Sequence, residues 1–153
     1  MKNWQHWMQQ GNLAWQNKEL INAQICFEHA LADVWPIWHQ STLLPVSWST
    51  DEDDLILPTC CLVVTLRNLA CCYDYQGQTD RARSLLKQTQ RWLHTALQQP
   101  DMPTPLIASL LIQQSELAAH IGDLFDRQPI SRNENRSKES HICNQINCHQ
   151  NLQ

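Results

Sequence analysis

The stretch Trp4 to Ala32, WQHWMQQGNLAWQNKELINAQICFEHALA, decides the fold. It reads as two short amphipathic helices joined by a tight turn, the first over about Trp4–Gln16 and the second over about Glu19–Asp33. Gly11 and Ala23 are small where two antiparallel helices must cross closely, and Ala14 lightens the same seam. Trp7 and Phe27 fill the space beside it.

In this stretch Trp7, Gly11, Ala14, Ala23, Phe27 and Ala30 fall at the spacings of the pattern W-x2-L-G-x2-Y…A-x3-F, and the segment resembles a tetratricopeptide (TPR) unit. It departs from the pattern at Gln10 (usually Leu), Ala14 (usually Tyr) and Trp35 (usually Pro), with Pro36 one residue late. A single such hairpin cannot bury its apolar face, so a second is required. It is found in Leu66 to Leu86, where Leu69, Ala70, Tyr73, Ala82 and Leu86 repeat the spacing and Gly77, Thr79 and Asp80 mark the turn. The string Asn68-Leu69-Ala70-Cys71-Cys72-Tyr73-Asp74-Tyr75-Gln76-Gly77 resembles the N-L-A-x-x-Y-x-x-x-G form of the motif, familiar in TPR proteins such as kinesin light chains. The step from Gly11 to Ala70 is 59 residues. That exceeds the TPR period of about 34 residues, so the register is expected to be broken by an insertion at Trp38 to Leu62. The arrangement is similar to that of small bacterial TPR-like proteins of uncharacterised function.

Along the rest of the chain, Val34-Trp35-Pro36-Ile37-Trp38 is expected to leave the second helix, with Trp38 and Trp48 covering the core from outside. Asp51-Glu52-Asp53-Asp54 reads as an acidic helix start favoured by the macrodipole rather than a metal site. A long helix is expected from about Thr59 to Gln76 with Pro58 as its start signal, apolar nearly all round and therefore covered on both sides. The next helix, Asp80 to Gln98, has Thr79 or Asp80 as its N-cap. Its expected buried stripe is Ala82, Leu85, Leu86, Trp92, Leu93 and Leu97. Thr104-Pro105 opens a last helix to about Phe125 on Leu106, Leu110, Leu117, Ile121 and Leu124, read as a cap on the stack. No stretch offers sustained period-2 alternation, Val63-Val64 being the doublet that argues most for a strand. The expected fold is thus all-α, with about five helices forming two degenerate antiparallel hairpins plus a C-terminal capping helix. Residues 1–127 form the TPR-like domain, and 128–153 read as a disordered polar tail.

At 153 residues, 42% hydrophobic and with seven tryptophans, the chain can build one core. A net charge of −4 opposes non-specific nucleic-acid binding. The eleven basic residues do not gather into a stripe, Arg132, Arg136 and Lys138 coming nearest. The N-terminus lacks the apolar run of a secretory signal, and no later segment reads as a membrane span, so a cytoplasmic location is expected. Seven cysteines, an odd count, suit buried thiols in a reducing compartment better than a disulfide scaffold.

No catalytic constellation emerges: with three scattered glycines there is neither a G-x-S-x-G elbow, nor a G-x4-G-K-[ST] loop, nor a G-x-G-x-x-G turn. Cys60-Cys61 and Cys71-Cys72 lie about 16 Å apart along one helix, too far to share an ion with Zn–S bonds of about 2.3 Å. They read as small core residues. His141, Cys143, Cys148 and His149 are the one ligand-rich cluster, without the usual C-x2-C knuckle. His6, His29, His39, His94 and His120 read as surface or half-buried helix residues.

The expected function is a non-enzymatic protein-protein interaction module, adaptor or chaperone-like, with no cofactor, monomeric or a weak homodimer. The TPR resemblance implies that partner contacts lie on the first helix of each hairpin. They fall on Gln5, Met8, Asn12 and Trp15 in the first copy and on Val64, Arg67, Asn68, Cys71 and Asp74 in the second. Met8 stands where carboxylate-holding TPRs carry Lys, which argues against recognition of a chaperone C-terminus. A secretion-type chaperone of similar size and acidity would show three tandem repeats. The alternatives are a metal- or thiol-handling protein using the His141/Cys143/Cys148/His149 cluster, and a structural homo-oligomer subunit pairing through its Trp-rich faces.

Overall fold

The computed structural model describes residues 2–43, 48 and 51–126. Among these the chain is all-α, with no strand: α1 (Lys2–Gln16), α2 (Leu20–Trp38) with a π turn at His39–Leu43, α3 (Glu52–Tyr75), α4 (Thr79–Leu97) and α5 (Thr104–Asp126). Each helix packs on the next, and α3 also packs on α5.

Side-chain pairs give the directions. Gly11 faces Phe27 and Trp7 stacks on His29 at 4.5 Å, so α1 and α2 are antiparallel. Trp4 bonds to Thr65, Asn12 to Asn68, and Trp15 meets Tyr75, so α1 and α3 run parallel. The contacts Cys60 with Ser109, Arg67 with Glu116 and Cys71 with His120 each span 49 residues, which sets α5 parallel to α3. The result is two layers, α1, α3 and α5 in one and the reversed α2 and α4 in the other.

The 59-residue step recurs in both turns and core. In α2 the residues Ala23, Phe27, Ala30 and Val34, and in α4 their counterparts Ala82, Leu86, Thr89 and Leu93, are at most 1% exposed. The buried Thr89 hydroxyl, alone polar in this set, donates to the Leu85 carbonyl at 2.9 Å, so its desolvation is compensated. The turns after α1 and α3 share their hydrogen bonds. Lys18 N donates to the Trp15 carbonyl and Glu19 N to Ala14, as Gly77 N does to Asp74 and Gln78 N to Tyr73. This pair of bonds is the Schellman motif, which needs one residue in the left-handed region. Gly77 meets that need at φ 79°, and Lys18 adopts φ 63° despite its Cβ.

Several boundaries differ from the sequence reading. Helix α2 does not end near Asp33: it continues through Pro36 to Trp38, since Val34 and Trp38 extend its buried stripe. Pro36 removes one backbone donor and strains one turn, a cost of about 3 kcal/mol. Two further fully buried side chains, worth about 1.5–3 kcal/mol each, offset it. Trp38 is accordingly no outer cover. It is 0% exposed, and its indole Nε1 donates to Thr59 Oγ1 at 3.2 Å. Trp48 is half-buried and donates to the Pro100 carbonyl at 3.3 Å.

Likewise Pro58 does not start α3. The helix begins at Glu52, with the Asp51 carboxylate accepting from Asp53 N at 3.0 Å, and Pro58 lies inside it. The acidic run is therefore a helix start, as its composition suggests. Much of the supposed insertion is helix, shared between the end of α2, the π turn and the opening of α3. At α4 the N-cap position is Gln78, without a side-chain cap. Thr79 instead donates its hydroxyl to Asp74 Oδ1 at 2.8 Å, tying α4 to the end of α3. The expected stripes of α4 and α5 face the core, Leu85, Trp92 and Leu97 at its edge. The segment 128–153 lies outside the described residues.

The stretch Ile56–Tyr75 within α3 is long and apolar enough to cross a membrane, with a mean hydropathy of 1.5. Yet 72% of it is buried inside the fold. Enclosure between α2, α4 and α5 accounts for an all-round apolar helix.

Candidate binding face

The layer of parallel helices α1, α3 and α5 carries the residues that the TPR resemblance selects, and the structure sorts them into two seams. Between α1 and α3, Met8 is 6% and Asn68 8% exposed, and Val64 on α3 is likewise buried at 7%. Thr65 organises this seam: its Oγ1 accepts from Trp4 Nε1 at 2.8 Å and gives its proton to the Cys61 carbonyl at 2.7 Å. The Met8 sulfur lies 3.6 Å from the same hydroxyl. Asn68 donates its amide to Asn12 Oδ1 at 3.4 Å, which leaves the Asn12 side chain exposed yet oriented. Trp15 is half-buried, edge-on to Tyr75 with ring centroids 4.9 Å apart, and so acts partly as a packing residue. Gln5 is exposed.

Between α3 and α5, Arg67 pairs with Glu116 at 3.4 Å, and one turn further on Cys71 Sγ lies 3.8 Å from His120 Nε2. The Arg67 Nε is buried without a hydrogen-bond partner, so the guanidinium is held in place but incompletely satisfied. Asp74 is drawn to the turn by Thr79 rather than joining either seam. Glu116, His120, Thr65 and Tyr75 were not among the residues selected from sequence. Glu116 and His120 stand four apart, one helical turn, a spacing that marks a shared face once α5 is placed beside α3. His120 is buried at 9% exposed, since α5 is clasped along α3, whereas His6, His29 and His94 are exposed and His39 half-buried.

Elsewhere, Tyr73 donates its hydroxyl to Glu28 Oε1 at 3.2 Å and lies under Arg81, 4.0 Å from its ring centroid. Burial pushes the Tyr73 phenol above its ordinary value, Arg81 opposing and Glu28 reinforcing the shift. Burial also raises the Cys26 thiol. The five described cysteines are all thiols, with Cys61 and Cys72 in the core and Cys60 and Cys71 half-buried. An open groove of about 990 Å³ runs between α4 and α5, lined among others by Lys87, Arg91, His94 and Leu111. Among the described residues no three His, Cys, Asp or Glu side chains gather as metal ligands would. His141, Cys143, Cys148 and His149 lie outside them.

Over the described residues the molecule is thus a small all-helical protein of two layers. The chain belongs to the DUF2753 family, described as proteins of unknown function, whose model matches residues 2–153. No curated protein and no solved structure matches it.

Proposed function

We propose that this is a TPR-like, non-enzymatic adaptor or chaperone-like protein of the cytoplasm, which receives a protein segment along the face formed by α1, α3 and α5. The observation that carries the reading is the 59-residue equivalence: two hairpins with the same Schellman turn and matching buried stripes, stacked so that their first helices run parallel. Stacked helical hairpins present their first helices as an extended surface suited to an extended ligand. Asn12, Arg67 and Glu116 are positioned there by partners, so amides and charges of both signs can meet a peptide backbone and its side chains with little ordering cost. The proposed contact set is Gln5, Asn12, Trp15, Arg67, Cys71 and Asp74 at the surface, with Met8, Val64 and Asn68 beneath as its floor.

The test is selection of binding peptides from a random library against the full chain, followed by titration with the double variant Asn12→Ala/Arg67→Ala. Loss of at least tenfold in affinity, on the scale of about 1.4 kcal/mol per decade, is expected with an unchanged melting temperature. Unchanged affinity for every selected peptide in the folded variant would reject the face. A second reading, a homo-oligomer subunit, is favoured by Ile21 and Ile25, four residues apart on α2 and 68% and 45% exposed. Light scattering over a range of concentrations distinguishes it.

A further inference from the structure

The seam between α3 and α5 holds two half-buried thiols in matched settings. Cys60 Sγ lies 4.0 Å from the Ser109 hydroxyl, and Cys71 Sγ lies 3.8 Å from His120 Nε2. Both contacts span 49 residues, so the two sites are the same structural position repeated along one pair of parallel helices. One offers the thiol a hydroxyl, the other a base.

We propose that Cys71 is a reactive thiol, with His120 as its proton acceptor, and that it forms a mixed disulfide with small disulfides of the glutathione type. A thiol becomes nucleophilic when it loses its proton, and a neighbouring imidazole favours that loss by taking it up. His120 is 9% exposed and clasped between helices, so its ring stays beside the sulfur, while Cys71 keeps enough exposure for a small reagent to reach it. Charges of both signs lie on the helices around the pair. Arg67, one turn before Cys71, stabilises a thiolate, and Glu116, one turn before His120, stabilises an imidazolium. Asp74 opposes the thiolate, but its carboxylate is turned toward the Thr79 hydroxyl. Asp123 is exposed on α5, α1 carries no charged residue from Gln9 to Gln16, and on α4 Arg81 is engaged over Tyr73 while Arg83 pairs with Asp80.

In the exchange, the Cys71 proton passes to His120 Nε2 and the thiolate attacks one sulfur of glutathione disulfide. The Cys71–glutathione bond forms as the original S–S bond breaks. The departing glutathione thiolate recovers the proton from the imidazolium, so atoms and electrons balance with the disulfide as the oxidant. The site is independent of whether the face receives a protein segment.

The rate follows from two opposed effects. Well below the ordinary thiol pKa of about 8.5, each unit by which the pair eases ionisation raises the thiolate fraction about tenfold. The accompanying loss of nucleophilicity takes back about threefold, leaving a gain of about threefold per unit. The experiment exposes the full native chain to glutathione disulfide at pH 6.5 and 9.5, with peptide mass spectrometry following each cysteine. At pH 6.5 Cys71 should be modified about three- to tenfold faster than Cys60, and the advantage should shrink at pH 9.5, where both thiols ionise. His120→Gln, checked by its melt, should bring Cys71 down to the Cys60 rate at pH 6.5 without moving Cys60. A Cys71 no faster than Cys60 in the parent at pH 6.5 overturns the proposal, and this comparison needs no variant. So does a folded His120→Gln protein in which the Cys71 rate is unchanged.

Discussion

Replacing each of two helical glycines by alanine separates helix propensity from packing in the first hairpin. Gly11 and Gly122 both lie within helices and neither has a positive φ, so either methyl gains about 1 kcal/mol of propensity. At Gly122 the new Cβ meets nothing within 4 Å, and the gain should be realised as higher stability. At Gly11 it would lie 2.5 Å from Phe27 Cε1, 2.8 Å from Cδ1 and 3.0 Å from Cζ. Carbon atoms pack at about 3.5–4.0 Å, so the ring must retreat by about 1 Å. Phe27 is 1% exposed and enclosed, which leaves it little room to move. Overpacking then costs about 2–3 kcal/mol, the upper part of the usual range, and Gly11→Ala ends about 1–2 kcal/mol less stable than the parent. Because the propensity gain cancels between the two variants, their difference isolates the clash. At about 4 °C per kcal/mol for a domain of this size, Gly11→Ala should melt about 10 °C below Gly122→Ala. Thermal and urea unfolding followed by circular dichroism measures both. A Gly11→Ala protein that melts with or above Gly122→Ala refutes the close crossing of α1 and α2. Adding Phe27→Leu should relieve part of the clash, making Gly11→Ala less harmful in that background.

Thr59→Val keeps the side-chain shape but removes the acceptor for the buried Trp38 indole, and should cost about 1–3 kcal/mol in urea unfolding. In a Trp38→Phe background, where no donor is left unpaired, the same change should cost less than half as much. Lys18→Gly should raise stability by up to about 1 kcal/mol, since Lys18 holds φ 63° where the equivalent Gly77 is unstrained, and a lower melting point would show that the turn has been misread. The folded protein binds the Tyr73 proton more tightly than the unfolded chain does, because burial raises the phenol. That contribution is complete below the unfolded tyrosine pKa of about 10 and is lost as pH rises through the higher folded value. Melts between pH 9 and 11 should therefore fall more steeply for the parent than for Tyr73→Phe, and parallel curves would rule the linkage out.

What the sequence determined by itself was local and repetitive. Small residues at Gly11, Ala23, Ala70 and Ala82 spaced for close crossings, and a left-handed turn signal at Gly77, sufficed for the hairpins, because helix periodicity and turn chemistry are short-range properties. The acidic start of α3 was legible for the same reason. Where Pro36 and Pro58 suggested breaks, only the tertiary structure decided: burial of Val34 and Trp38, and enclosure of α3, outweigh local cost, and neither can be counted before the partners are placed. The candidate face divides in the same way. Asn12, Arg67, Asn68 and Cys71 were identified from motif register along single helices, but Glu116 and His120 were not, since nothing local in α5 says that it lies parallel to α3. That alignment, set by packing between helices some fifty residues apart, turns an ordinary histidine and an ordinary cysteine into a pair 3.8 Å apart.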